Sequence, residues 1–269
     1  RRDPRPRPAR PRPGRRGSIV SADPTIADVI SGSSRWCVVV GDALDVIAGL
    51  APGSASAIVT DPPYASTGDA ASVMSREGAP REVQFYEAWA REHLAAWFRM
   101  LGPAGAAWFT VDWRGAMAFD MAAHKLGIKA PTVGVWDRGG MGMGYVLRKV
   151  WEAFVVVQGH EFRRLQTDEV DLWRHEWNPA HRTSTHGAEK PVALMRRAVR
   201  LVSSTGDLII DPFAGSGTTG EAALAEGRRI IMVERDEQFA SIARRRCAAA
   251  SSGRDWKNPQ QETMFGVAP

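Results

Sequence analysis

The chain has 269 residues, 44% hydrophobic and 24% charged, which suits one sizeable α/β domain of a soluble globular protein. No apolar run approaches the roughly 18–20 residues of a membrane span, and no secretory apolar segment opens the chain. Two cysteines, Cys37 and Cys247, exclude a disulfide framework and a cysteine metal site, so a reducing cytoplasm is expected.

The net charge of +5 is unevenly placed. Residues 1–16 hold eight arginines and one aspartate, +7, which leaves −2 for the rest, so contact of the folded part with nucleic acid needs a local patch. Residues 1–34 are Arg/Pro-rich and then Ser/Gly/Asp-rich, with too little apolar surface to fold, and are expected to be a disordered tail that can add phosphate contacts. The folded domain is expected over 35–250, followed by a tail at 251–269.

Cys37–Val40 reads as a buried strand ending at Gly41-Asp42, and Ala43–Leu50 as a helix closed by Ala51-Pro52-Gly53. Asp42 suits either of two roles, acceptor for an adenine amino group or N-cap of that helix. Ala57–Thr60 is a second strand, ending in Asp61-Pro62-Pro63-Tyr64. Two prolines stiffen the turn and remove backbone donors. The Asp61 carboxylate and the Pro62 carbonyl remain as acceptors beside an aromatic face, a combination that suits an exocyclic amine on a planar base.

Ala65–Gln84 reads as a polar loop, Phe85–Met100 as a core-facing helix, Ala106–Val111 as a strand and Ala116–Leu126 as a helix. Asp112, at the strand end, is assigned a structural role. Thr132–Trp136 is a further strand, and Lys149–Gln158 is the last before a poorly patterned stretch. The glycine-rich Asp137–Gly144 lacks the Lys-Ser/Thr of a P-loop. Residues 159–185 interleave Arg163, Arg164, Arg174 and Arg182 with Trp173 and Trp177, which suits phosphate contact and base stacking. His160, His175, His181 and His186 have no cysteine partners and read as polar loop residues, so no metal is expected. Pro191 opens an amphipathic helix, Val192–Val202.

Asp207–Ile210 is then a short buried strand running into Asp211-Pro212-Phe213-Ala214-Gly215-Ser216-Gly217-Thr218-Thr219-Gly220, with a helix expected from Glu221 to Glu226. Such a strand–glycine–helix junction lets a ligand approach free N–H groups and the positive end of a helix dipole. The next strand, Arg229–Val233, ends in Glu234, at the spacing of an acid that holds ribose hydroxyls. Gly215-x-Gly217-x-x-Gly220 also matches a dinucleotide fingerprint, but too little chain follows to complete that sheet, so the missing strands must come from the front.

Asp61-Pro62-Pro63-Tyr64 followed by Asp211–Thr219 resembles the S-adenosylmethionine-dependent DNA amino-methyltransferases, in the permuted β group, over roughly residues 36–247. The resemblance implies a Rossmann-like three-layer α/β fold of about seven strands, mostly parallel with one antiparallel, in circularly permuted order. It implies catalysis by Asp61, Pro62, Pro63 and Tyr64. The cofactor would be held by Asp42, Ala43, Asp211, Phe213, Ala214, Gly215, Ser216, Gly217, Thr218 and Glu234, with His186 and Lys190 closing over its methionine end. It further implies a mobile DNA-contacting loop at 65–84 and a short target-recognition region at 159–185. DNA is the expected partner, and so short a recognition region implies either low sequence specificity or reliance on a homodimer.

The four-residue motif favours adenine N6 in this family, while cytosine N4 offers the same kind of amine. A Pro-Cys nucleophile for carbon methylation is absent, since neither cysteine follows a proline. A nicotinamide oxidoreductase would leave Asp61–Tyr64 unexplained. A catalytically silent DNA-binding module would leave the acids at the strand ends without a purpose.

Overall fold

The computed structural model describes residues 23–64, 83–140, 142, 146–176 and 189–254. In chain order these form α1 (Ile26–Ser31), β1 (Trp36–Val40), α2 (Ala43–Ala48), β2 (Ala57–Thr60), α3 (Val83–Leu101), β3 (Ala106–Val111), α4 (Trp113–Lys125), β4 (Thr132–Asp137), β5 (Trp151–Gln158), β6 (Leu172–Arg174), α5 (Val192–Val202), β7 (Leu208–Asp211), α6 (Thr218–Ala225), β8 (Arg229–Glu234) and α7 (Glu237–Ser251).

All eight strands of the described residues join one sheet in the order β1-β8-β7-β2-β3-β5-β4-β6. Among them only β5 runs antiparallel to its neighbours. The order carries the permutation expected from sequence. The first strand pairs with the last, Trp36 opposite Ile230, and the late strand β7 lies between β8 and the early strand β2.

Central strands are buried on both faces, which is why they read as unbroken apolar runs. Alternate residues serve opposite layers. Ile58, Ala107, Phe109, Ile210 and Ile231 pack with α2, α3 and α4 on one side. Ala57, Trp108, Ile209, Ile230 and Met232 pack with α5, α6 and α7 on the other. Among the described residues no helix is long and apolar enough to cross a membrane.

The structure departs from the sequence expectation in three places. Residues 26–31, within the stretch expected to be disordered, form a helix. Thr25 and Asp28 make a reciprocal capping box, and Arg229 donates to the Val29 carbonyl at 2.9 Å, so capping and one long-range anchor stabilise a turn that composition alone would leave unfolded. The described sheet has eight strands rather than about seven. The additional strand, β6, falls inside the supposed recognition stretch, where Trp173 packs on Trp108 and Phe154 with ring centroids 5.8 and 4.4 Å away. The chain after Glu234 forms the 15-residue helix α7, and α6 begins at Thr218 rather than Glu221.

Candidate active site at the carboxyl edge of the sheet

Strands β2 and β7 are parallel neighbours, with Ile58 opposite Ile210, so their ends deliver Asp61 and Asp211 to the same rim. The Thr60 hydroxyl donates to Asp211 Oδ1 at 2.6 Å and ties the two ends together. Asp211 is 1% exposed, and burial pushes its carboxyl up to about 6 against hydrogen bonds from Thr219, Thr60 and the Phe213 N–H. The Asp61–Tyr64 turn and the glycine turn therefore stand one strand apart despite their separation in sequence.

Around Asp61 lies a charged cluster. The Thr110 hydroxyl, from β3, donates to Asp61 Oδ1, and Lys190 Nζ donates to Oδ2 at 2.6 Å. The same Nζ lies 3.7 Å from Oε2 of Glu152, on the antiparallel strand β5. Glu152 Oε2 accepts from the Tyr64 hydroxyl at 2.5 Å, and its Oε1 accepts from Arg138 at 2.9 Å. Burial alone would raise the Glu152 carboxyl, but Lys190, Tyr64 and Arg138 together hold it below the usual range. Burial likewise opposes the Lys190 charge, yet Asp61 and Glu152 raise it above the ordinary lysine value. Behind the turn, the buried Tyr86 hydroxyl donates to the Pro63 carbonyl at 2.6 Å.

Acids also stand at the neighbouring ends of β1, β7 and β8. Glu234 is held by two backbone donors, Gly215 N on Oε2 at 2.7 Å and Asp236 N on Oε1 at 2.9 Å. A carboxylate has about four lone-pair sites, so this anchoring leaves acceptors for hydroxyl donors. Gly217, at φ +83°, opens α6, and a Cβ there would meet Ala243 Cα of α7 at 2.8 Å. Asp42 caps α2 through Leu44 N at 2.9 Å and pairs with Arg235. Phe213 is half-buried against Trp89 and His93, with ring centroids 5.8 and 5.6 Å away. His93 Nδ1 lies 2.9 Å from the Trp89 carbonyl and so carries the proton, and burial lowers the ring's pKa.

The residues expected from sequence thus sort into groups. Asp61, Tyr64 and Lys190 meet in one cluster, where Lys190 contacts Asp61 rather than the glycine turn. Asp42, Phe213, Gly215 and Glu234 stand at the adjacent rim, with Ala43 and Asp211 buried below and Ala214 fixed by its N–H to the Val233 carbonyl at 2.9 Å. The Ser216 and Thr218 side chains, expected at the cofactor, instead turn inward to Arg246, whose Nη1 lies 3.4 Å from Ser216 Oγ and 3.0 Å from Thr218 Oγ1. What they can offer a ligand is backbone. His186 lies outside the described residues, as do nearly all of the loop expected at 65–84 and residues 177–185 of the supposed recognition region. Asp112 has the structural role expected, capping α4 through Gly115 N at 2.8 Å.

Sequence reasoning missed Glu152, Arg138, Thr110 and Arg246. Glu152 and Arg138 had one available signal, a charged residue next to or within an apolar β run. Arg246 had none, since Arg244–Arg246 reads as a solvated basic run. Both cysteines are buried, and burial pushes the Cys37 thiol up to about 12 and Cys247 higher, which suits packing rather than nucleophilic chemistry.

A family model for DNA methylases of the N6/N4 type matches residues 55–245. The chain is 42% identical over 66 residues to the DNA adenine methyltransferase YhdJ of Escherichia coli K12, a match spanning 24% of this chain and 22% of that protein. Among solved structures, TTHA0409 of Thermus thermophilus, described as a DNA modification methylase, superposes with a TM-score of 0.61 at 25% identity, covering 80% of this chain and 96% of the other. The cytosine-N4-specific PvuII DNA methyltransferase shares the fold, with a TM-score of 0.63 at 15% identity over 87% of this chain and 89% of its own. The chain belongs to the N6/N4 DNA methylase family.

Proposed function

We propose that the chain transfers a methyl group from S-adenosylmethionine to the exocyclic N6 of adenine in DNA. The observation that carries this reading is the Thr60–Asp211 hydrogen bond at 2.6 Å, which joins the amine-accepting turn to the glycine turn at one rim. The curated relative YhdJ is a DNA adenine methyltransferase, although this chain matches only about a fifth of its length.

The chemistry of the residues present fits the cofactor. Acids at the ends of β1 and β8, Asp42 and Glu234, suit a ligand that carries hydroxyls, amines and a positive charge, with Asp211 buried beneath them, and Phe213 offers an apolar wall. Glu234 would hold the ribose hydroxyls, and the backbone from Gly215 to Thr218 would face the methionine end. When bound, S-adenosylmethionine supplies an electrophilic methyl on a sulfonium sulfur, which keeps the bonding pair as the neutral thioether.

The chain's own residues then have to make a poor nucleophile competent. The adenine amine lone pair is delocalised into the ring. Asp61 and the Pro62 carbonyl would accept its two hydrogens, favouring tetrahedral nitrogen and turning the lone pair outward. The nitrogen forms its new bond to carbon and afterwards sheds one of those hydrogens towards Asp61. Tyr64 would stack on a base flipped from the duplex. Positioning is the main contribution, and no covalent enzyme intermediate is needed.

Cytosine N4 presents the same amine to the same acceptors, and it is the second product to look for. The deciding experiment incubates the protein with plasmid DNA and labelled S-adenosylmethionine, then digests the DNA to nucleosides. N6-methyldeoxyadenosine supports the reading, N4-methyldeoxycytidine replaces the base, and an unlabelled digest overturns it.

A further inference from the structure

Lys190 stands at this site beside two acids and an aromatic ring. Bases with an exocyclic amine carry a ring-nitrogen acceptor beside it: N1 and N7 flank N6 of adenine, and N3 flanks N4 of cytosine. Keto bases place an oxygen acceptor where the amine donor would be. A reader of the amine edge therefore needs an acceptor and a donor side by side. Asp61 Oδ2 and Lys190 Nζ are such a pair, 2.6 Å apart, comparable to the spacing of an amine nitrogen and its neighbouring ring nitrogen. An ammonium has three hydrogens. One is given to Asp61, and Glu152 at 3.7 Å lies beyond hydrogen-bond reach, so the ammonium keeps donor capacity for a ligand. The same Nζ lies 5.2 Å from the centre of the Tyr64 ring, so donor, acceptor and stacking face converge on one small volume.

Resting on the methyl-transfer reading above, we propose that Lys190 reads the target base. It would donate to the ring nitrogen beside the amine whose hydrogens Asp61 accepts, so that the pair selects amino over keto bases. Guanine O6 or thymine O4 would set an oxygen against the Asp61 carboxylate. Glu152 is a positioning residue for this contact. Arg138 fixes one of its oxygens at 2.9 Å, while the other takes the Tyr64 hydroxyl at 2.5 Å and faces Lys190. It thereby orients both the ring that would cover the base and the ammonium that would touch its edge. A donor on a ring nitrogen draws electron density from the amine, and the two carboxylates flanking Lys190 offset that pull.

The test removes the ring acceptor from the substrate. Duplexes would carry 1-deazaadenine or 7-deazaadenine at the position methylated in unmodified DNA, each keeping the amine and losing one ring nitrogen. Affinity measured by fluorescence anisotropy with S-adenosylhomocysteine present is independent of turnover, and kcat/KM is measured in parallel. One of the analogues should bind the wild-type protein more weakly by at least about 5-fold and by no more than about 150-fold, the range of a full bidentate base contact, of which it removes one half. Lys190→Met should bind unmodified DNA with a similar deficit and show no further loss with that analogue, whereas Lys190→Arg should keep part of the discrimination. Sensitivity to 1-deazaadenine assigns the contact to N1, the edge that cytosine shares through N3. Sensitivity to 7-deazaadenine assigns it to N7, which cytosine lacks. Binding of both analogues like adenine, or an unchanged analogue deficit in Lys190→Met, overturns the proposal. Methylation of unmodified DNA without analogue discrimination overturns base reading alone, whereas absence of any methylated nucleoside overturns the methyl-transfer reading and this one with it.

Discussion

Arg246 of α7, 1% exposed, donates Nη2 to Glu189 at 2.9 Å and so ties the last helix to the residue beside Lys190. Its Nε reaches Glu221 at 2.5 Å, and Nη1 touches Ser216 and Thr218 beneath the glycine turn. One buried guanidinium thus braces both halves of the site. Removing one partner of a buried ion pair strands the others without solvent, at a cost of ~3–5 kcal/mol. Arg246→Met is therefore expected to lower unfolding free energy by that order in denaturant titrations, and the added change Glu189→Gln should recover part of it. Equal stability of Arg246→Met and wild type would show that the network is not structural.

Gly217 gives a sharper local test. Alanine there must adopt φ +83° and also press its Cβ to 2.8 Å from the Ala243 backbone. At Gly206, with φ +88°, an added methyl would have nothing within 4 Å, so Gly206→Ala meets backbone strain alone. Strain of this kind costs ~1–3 kcal/mol. Gly217→Ala should lose more stability than Gly206→Ala, because α7 must also move away from the glycine turn. Thermal melts of the two variants side by side check the ranking.

These residues also mark what could be read from the chain alone. Asp61 and Asp211 were legible because each stands at the end of a strand built on a short apolar run, Ala57–Val59 and Leu208–Ile210, and is followed by proline, and because β2 and β7 are buried on both faces. Local pattern and position were enough there. Glu152 left only one faint signal, a charge within an apolar run, and its place at the site was not legible. Its function depends on Tyr64, 88 positions away, and on Lys190, neither of which leaves any period or spacing in the sequence. Helix α7 escaped notice because it packs through Ala240, Ala243 and Cys247, small residues set against the glycine helix, without the large apolar stripe that announces a buried helix. Helix α1 is six residues long and buries only Val29, so it rests on its cap and on Arg229 rather than on pattern.

The buried carboxyl of Asp211 makes stability depend on pH in a definite direction. Its folded pKa of about 6 lies above the ordinary 3.8, so the folded chain holds this proton more tightly than the unfolded chain. On this count stability is greatest below pH 4 and falls as pH rises through 6. At 1.36 kcal/mol per unit the full loss is roughly 3 kcal/mol. Asp211→Asn keeps an oxygen for the Thr60 hydroxyl and the Phe213 N–H but cannot ionise. Denaturant titrations from pH 4 to 8 should show wild type declining relative to Asp211→Asn between pH 4 and 6, and parallel curves would refute the assignment.

Asp61→Ala separates chemistry from cofactor binding. The substitution removes the acceptor that would draw the amine hydrogens, while Lys190 keeps Glu152 as a partner at 3.7 Å and Gly215 and Glu234 are untouched. Loss of one transition-state contact of this kind costs ~10²–10³ in kcat. Methyl transfer to DNA is expected to fall at least that far, with cofactor affinity by calorimetry unchanged. Normal methylation by Asp61→Ala would remove Asp61 from the reaction.

Tyr86 gives the finest distinction between holding the turn and doing the chemistry. Its hydroxyl is the donor to the Pro63 carbonyl at 2.6 Å, and its ring packs on Trp89 and Phe119 with centroids 5.1 and 6.1 Å away. Tyr86→Phe keeps that packing and removes one hydrogen bond, leaving a buried carbonyl unpaired at a cost of ~1–3 kcal/mol. Phe213 still rests on Trp89, so the wall proposed for the cofactor should stay in place and cofactor affinity should not change. The Asp61–Tyr64 turn, by contrast, loses the anchor that sets where Asp61 and the Pro62 carbonyl meet the amine. The expected signature is a fall in kcat for DNA methylation with an unaltered affinity for S-adenosylmethionine. A drop in both would instead mean that Tyr86 supports the whole rim through its ring, and an unaltered kcat would mean that the two prolines hold the turn unaided.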